Sequence, residues 1–272
     1  MSRFDYLVIG HLTRDVTPAG DVVGGTVAYA GHTAHVLGSR TAVVTSAGPE
    51  IDVESALAEM TVHCVPAART TTFENRYDEG KREQRLYHLA APLKAEHVPA
   101  GWRRTPIVHL GPVAGEVDEK MVHHFSNSLV GLTPQGWLRG WDEQGTVFAR
   151  RWDRARELLP LAAAVVLSDE DLPDEAALQE YRRWARLLAL THGADGCTIY
   201  LGDESRHFPA PAVSEQSLTG AGDVFAAAFF IRLYQTKGNP WEAATFANEM
   251  AAQSVTQPDL RSKVRHLETL RE

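Results

Sequence analysis

The sequence predicts an α/β protein with a central, mainly parallel sheet and helices on both faces. Three observations carry that expectation. Short apolar runs recur at residues 6–10, 41–47, 107–111 and 163–167, each the length of a strand buried on both sides. Helical stretches separate them, so strand, crossover and strand repeat. Residues 224–233 are apolar nearly all round, as in a helix sunk in the middle of a domain.

The 272 residues suffice for one large α/β domain or two small ones. No repeat and no Pro/Gly/Ser-rich linker divides them, so one domain over residues 1–272 is expected. Hydrophobic content of 44% and charged content of 23% are ordinary for a globular protein. A net charge of −8 argues against nucleic acid or an anionic membrane as the main partner. Cys64 and Cys197 form no CxxC or zinc pattern; reduced buried thiols are favoured over a single disulfide. The N-terminus lacks the layout of a signal peptide and no apolar run has the length of a bilayer span, so a cytoplasmic location is expected.

Taken in order, residues 6–10 are a buried strand ending in Gly10. Ligands of open α/β sheets bind beyond the carboxyl ends of strands, which makes Asp15 a candidate for holding substrate, or else a loop-capping Asp. After Gly24 and Gly25, residues 26–38 form a helix whose small residues permit close packing and whose stop is Gly38. The strand at residues 41–47 is followed by a helix at 53–60. Residues 71–78 and 83–89 read as strands around a turn at 79–81, with Phe73, Tyr77, Leu86 and Tyr87 as strand formers. Glu74 and Asn75 on the first of these either reach substrate hydroxyls or keep a strand edge polar.

Strands follow at residues 107–111, 130–133 and 163–167, and a hairpin at 187–200. Residues 241–255 form a second long helix with alanines for close packing. Twelve histidines are scattered without a zinc spacing, and His123 and His124 read as solvated or structurally bonded. A Walker-type loop is missing.

The chemistry concentrates at residues 217–223. Gly220, Ala221 and Gly222 let backbone amides approach an anion closely, at the positive end of the helix that follows. Asp223 stands beside that anion site as a candidate general base, held ionised by the same dipole. A plain helix start with an acidic first turn is the alternative.

This stretch resembles the second signature of the ribokinase-like (PfkB-type) carbohydrate kinases, Asp-Thr-x-Gly-Ala-Gly-Asp, matching at Gly220, Ala221, Gly222 and Asp223. Gly24 and Gly25 resemble the start of the first signature, Gly-Gly-x-x-x-Asn-x-Ala, with Tyr29 in place of its Asn and Gly31 in place of its Ala. The resemblance implies a ribokinase-like fold and an ATP- and magnesium-dependent kinase, with Asp15, Gly24, Gly25, Glu74, Asn75 and Arg139 toward the substrate. Arg139 has a surface salt bridge as its alternative. Thr191, Gly193 and Gly196, in a Thr-x-Gly-x-x-Gly-like segment, together with Thr219 and Asn248, are implied to line the nucleotide site. Ser168 and Asp171 stand where relatives place Asn-x-x-Glu near magnesium; an acidic helix N-terminus is the alternative there.

Ser217 and Leu218 replace the family's leading Asp and Thr, and the Asp often helps hold a monovalent cation; potassium activation is therefore in question. Between Asp15 and Gly24 the chain is short where many relatives place two lid strands, so a reduced lid is expected. Relatives often pair through their lids, and a homodimer is expected with less lid to build it from. The short lid, the Gly10-His11 start, residues 71–75 and residues 109–113 look most like the myo-inositol kinases of the family. A sugar or nucleoside kinase is the alternative, and a non-catalytic ligand-binding relative another.

Overall fold

The computed structural model describes residues 3–18, 20–78 and 81–270. Strand β1 (Tyr6–Ile9) is fully buried. It leads into a hairpin, β2 (Thr13–Thr17) and β3 (Gly20–Gly24), and then α1 (Thr26–Val36). The latter ends where Gly38 turns left-handed at φ 87° and the Ser39 amide bonds back to the Ala34 carbonyl at 3.0 Å. Next come β4 (Thr41–Ala47), α2 (Val53–Ala56), β5 (Thr61–Pro66), β6 (Thr71–Asp78) and β7 (Lys81–His88).

The second half begins with β8 (Ile107–Leu110), β9 (Leu129–Leu132) and the small pair β10 (Arg139–Trp141) and β11 (Val147–Ala149). It continues through α3 (Ala155–Leu158), β12 (Ala164–Ser168), α4 (Glu175–Trp184), β13 (Leu188–Thr191), β14 (Cys197–Leu201) and β15 (Glu204–Phe208). Three helices close the chain: α5 (Ala221–Gln235), α6 (Pro240–Val255) and α7 (Leu260–Thr269).

Among the described residues, nine strands form the central sheet in the order β15-β14-β13-β12-β9-β8-β1-β4-β5. From β5 to β13 every pair is parallel; β13, β14 and β15 pair antiparallel at one edge. Alternate residues of each strand feed two cores. Tyr6, Val8, Val43, Ile107, Ala164 and Val166 pack with α1, α5 and α6 on one face. Leu7, Ile9, Val44, Val108, Leu110 and Val165 pack with α3 and α4 on the other. Helix α5 lies against the sheet so tightly that a Cβ at Gly131 would meet the Phe230 ring at 2.5 Å, which explains the glycine in β9.

Two expectations are corrected. The helix expected over residues 53–60 is one turn, Val53–Ala56, because Glu59 adopts φ 70° to send the chain into β5. The short segment between Asp15 and Gly24, expected to reduce the lid, forms a hairpin of two five-residue strands, so Asp15 lies in a strand and not in a loop. With β6 and β7 it makes a four-stranded sheet, β3-β2-β6-β7. The lid is short and has four strands among the described residues. Its turn at Glu79 and Gly80 lies outside the described residues.

Candidate active site

Helix α5 starts on Gly220, whose φ of 79° no L side chain adopts easily and whose missing Cβ leaves room for the ring of Tyr29. No side chain caps this helix. The Ala221 amide donates to the Leu218 carbonyl at 3.1 Å and so closes the turn. Of the three amides expected on an anion, that one is engaged; among the described residues the Gly220 and Gly222 amides have no backbone partner, and Gly222 is exposed. The turn thus opens on solvent with donors available at the positive end of a fifteen-residue helix.

Asp223 follows in the first turn, half-buried. Burial pushes its carboxyl up to about 6; the Thr26 hydroxyl, hydrogen-bonded to it, and then the Arg139 guanidinium pull down, while Asp171 and Asp15 push up. Desolvation outweighs the favourable field, and the group is ionised at neutral pH while remaining basic enough to accept a proton.

Thr26 opens α1, the second helix that begins here. This helix too starts on an uncapped glycine, Gly25, at φ 90°. Asp15 reaches the same place from β2, accepting from the Thr13 hydroxyl at 3.0 Å. A Cβ at Gly24 would sit 2.6 Å from the Asp15 carboxylate, so that glycine makes space for the acid. Two carboxylates and two helix N-termini therefore converge from β2, α1 and α5.

Arg139 enters from the β9 side. Its side chain is 11% exposed, so it is no surface ion pair; it lies 3.7 Å from Asp171 and donates to the Val113 carbonyl at 3.2 Å. The Gln135 amide donates to both Asp171 oxygens, at 3.0 and 3.2 Å. Under this loop the His109 ring bridges Tyr6 Oη at 2.7 Å and Thr133 Oγ1 at 2.8 Å, with burial depressing the imidazole to about 3. The Ser168 hydroxyl accepts from the Glu170 amide at 3.3 Å. Among the described residues no three His, Cys, Asp or Glu side chains are grouped to hold a metal. With Asp171 turned to Arg139 and Gln135, the acidic strand end fits a cation carried on phosphate oxygens and water, not a dedicated cage.

Over 94% of its length the chain is 30% identical to inositol 3-kinase of Oryza sativa subsp. japonica, of which it covers 70%. Residues 152–266 match the model of the pfkB family of carbohydrate kinases. The chain belongs to that family. Its fold is shared with a pyrophosphate-dependent kinase of the ribokinase family complexed with a pyrophosphate analog and myo-inositol, at TM-score 0.81 and 24% identity over 96% of this chain and 98% of that one. The ribokinase of Thermotoga maritima aligns at TM-score 0.72 and 19% identity over 98% of each.

Two of the residues this kinase is expected to use toward a nucleotide pack against residues 208–210. Asn248 is 4% exposed and spends its amide on the Phe208 carbonyl at 2.8 Å and the Pro209 carbonyl at 3.4 Å. It ties α6 to residues 208–209. Gly196 is buried at φ 95°, where a Cβ would overlap the Phe208 carbonyl; it is a close-approach glycine. Thr191, whose hydroxyl donates to the Leu167 carbonyl at 3.2 Å, and Gly193 keep accessible surface at and after the end of β13, and Thr219 keeps it in the turn before α5.

On the lid of the kinase, strand alternation separates the two expected contacts. Asp15 pairs with Phe73, so Asn75, two residues on, shares their face, bonded to the Gln84 amide at 2.9 Å. Glu74 points to the opposite face, where the Tyr87 hydroxyl donates to it at 2.5 Å. Sequence reasoning missed Thr26, Gln135 and the seat of the Tyr29 ring. Only Thr26 carried a signal, as the first residue after the paired glycines.

Proposed function

We propose that the protein transfers a phosphoryl group to a hydroxyl of a small polyol, with myo-inositol as acceptor and ATP as donor. The carrying observation is Asp223, a carboxylate tuned to about 6 between Asp15 and the amides of an uncapped helix N-terminus. The similarity to inositol 3-kinase supports the choice of acceptor. Asp15, with Asn75 on the same face of the lid, orients the acceptor. Asp223 takes the proton of the attacking hydroxyl. The Gly220 and Gly222 amides and Arg139 stabilise the charge that spreads over the phosphoryl oxygens. Magnesium borne by the donor, near Ser168 and Asp171, would supply further charge neutralisation.

A second donor is favoured by one observation. Asn248 and Gly196, which an adenine site would use, are closed against residues 208–210. Inorganic pyrophosphate needs no base pocket, and a protein of the same fold is pyrophosphate-dependent. The test is phosphate transfer to myo-inositol, other polyols, ribose, fructose and nucleosides, each with ATP and with pyrophosphate, and with Asp223→Asn in parallel. Turnover with myo-inositol, lost in the variant, is expected. Preference for ribose or a nucleoside would replace the acceptor by that class. Silence over the whole panel from folded protein would leave a ligand-binding relative.

A further inference from the structure

Lys263 is the one lysine of α7 and is 1% exposed, on a helix that otherwise presents polar residues to solvent. Lysine is almost never fully buried unless its ammonium is bonded, because an uncompensated charge in the interior is expensive. Its Nζ donates to the Ser217 carbonyl at 2.7 Å, across 46 residues of sequence. Asp259, at the start of the same helix, is the carboxylate whose charge reaches it, but the Oδ1 of that residue is taken by the Ser262 amide at 2.8 Å and hydroxyl at 2.9 Å. From α1 comes Tyr29, whose phenol also lies in the field of Asp259. Toward α6 the helix is joined through His266 Nε2 and Gln253 Oε1 at 3.0 Å.

What the ammonium holds is the approach to the anion-binding turn. The Gln216 and Ser217 amides both donate to the Val255 carbonyl, at 2.8 and 3.2 Å. The Ser217 carbonyl faces Lys263, and the next carbonyl, that of Leu218, accepts the Ala221 amide. A chain of bonds thus runs from the lysine through one peptide plane to the turn that starts α5. A methionine or leucine would fill the same space without bringing a charge.

We propose that Lys263 is a positioning residue for the phosphate donor: its buried ammonium fixes the peptide before the anion-binding turn and places a cation behind it. This rests on reading that turn as the donor's phosphate site. Burial lowers the amine to about 8, so the cation is present at neutral pH and is lost as pH rises through that value. The device therefore weakens donor binding in alkali.

The experiment measures binding of ATP, pyrophosphate and inorganic sulfate by calorimetry between pH 7 and 9.5; sulfate carries no proton over that range. Wild type should lose affinity for sulfate and for its donor in a step near pH 8. Lys263→Met should bind about tenfold more weakly or worse at pH 7, as for loss of a charge-assisted bond, with no such step. Lys263→Arg should retain most of the affinity at pH 7 and shed the step, since arginine stays charged. Steady-state kinetics should place the Lys263→Met defect in the donor KM, with acceptor KM unchanged. A wild-type affinity flat to pH 9.5, or Lys263→Met binding as wild type does, overturns the proposal alone. Wild type binding none of the three anions overturns the reading of the turn and this proposal with it. Should Lys263→Met not fold, the wild-type step and its absence from Lys263→Arg decide.

Discussion

The Thr26 hydroxyl is hydrogen-bonded to the Asp223 carboxylate, joining the first residue of α1 to the first turn of α5. Both helices start on uncapped glycines, so this bond locks two positive helix ends around one acid. It favours the ionised carboxylate against the desolvation that raises it. Turnover should therefore fall on the acid side about tenfold per pH unit below about 6, the value to which Asp223 is raised. In Thr26→Val the limb should move to higher pH, with turnover at pH 8 reduced less than at pH 6. A pH profile of kcat/KM for the two proteins reads this directly; coincident limbs would remove Thr26 from the account.

Asp223 also predicts a stability effect opposite to its effect on activity. Its carboxyl stands at 3.8 ordinarily and at about 6 in the fold. As pH rises between those values the unfolded chain ionises first and the native state keeps its proton. Stability consequently falls with rising pH across that window, by roughly 1–3 kcal/mol at most, and the deficit persists above it. Asp223→Asn has no such deficit, so its Tm should exceed that of wild type at pH 7.5 and match it near pH 3.5, while turnover falls by several orders of magnitude. Thermal melts at the two pH values check the sign. A variant destabilised at pH 7.5 would show that the Thr26 bond outweighs desolvation.

Much of the fold was legible because parallel strands buried on both faces read as unbroken apolar runs, as in residues 6–9 and 107–110. The Gly220 to Asp223 turn was legible because small residues before a buried helix admit few readings. The β2–β3 hairpin was not. Arg14, Asp15, Thr17 and Asp21 make it polar and loop-like, and it is a strand pair because Thr13 to Val16 align with Thr71 to Glu74 some 58 residues later. What Asn248 and Gly196 touch was hidden for the same reason: Phe208, distant in sequence from Asn248, is the neighbour of each. Nothing local marks Lys263 as buried, since its acceptor is a backbone carbonyl far up the chain.

Gly220 should tolerate no side chain. A Cβ there meets the Tyr29 ring, and φ is 79°. The left-handed conformation costs an L residue about 1–2 kcal/mol, and the overlap about as much again. Gly220→Ala should lower Tm and raise the donor KM, because both relaxations tilt the turn amides. Trimming the ring, as in Tyr29→Leu combined with Gly220→Ala, should return part of the stability and little of the donor affinity. Full recovery of both would place the fault in packing alone.

Arg139 and Asp171 separate two readings of the acidic strand end. If Asp171 holds magnesium through water, Asp171→Asn should raise the magnesium concentration needed for half-maximal rate and leave the dependence on Arg139 untouched. If its task is to orient Arg139, which lies 3.7 Å away, the magnesium requirement should stay and kcat should fall. The geometry favours the second outcome, because Gln135 already bonds both Asp171 oxygens and Arg139 faces one of them. Removing the guanidinium in Arg139→Ala deprives the phosphoryl group of a charge in a poorly solvated site and should cost about 100-fold or more in kcat. Arg139→Lys should restore little, since an ammonium cannot hold Asp171 and the Val113 carbonyl in the same planar fork. In a double-mutant cycle, Asp171→Asn should then have almost no effect on top of Arg139→Ala, since a residue that acts through the guanidinium has nothing left to orient. Additive losses, or a shifted magnesium requirement in Asp171→Asn, would return Asp171 to the metal.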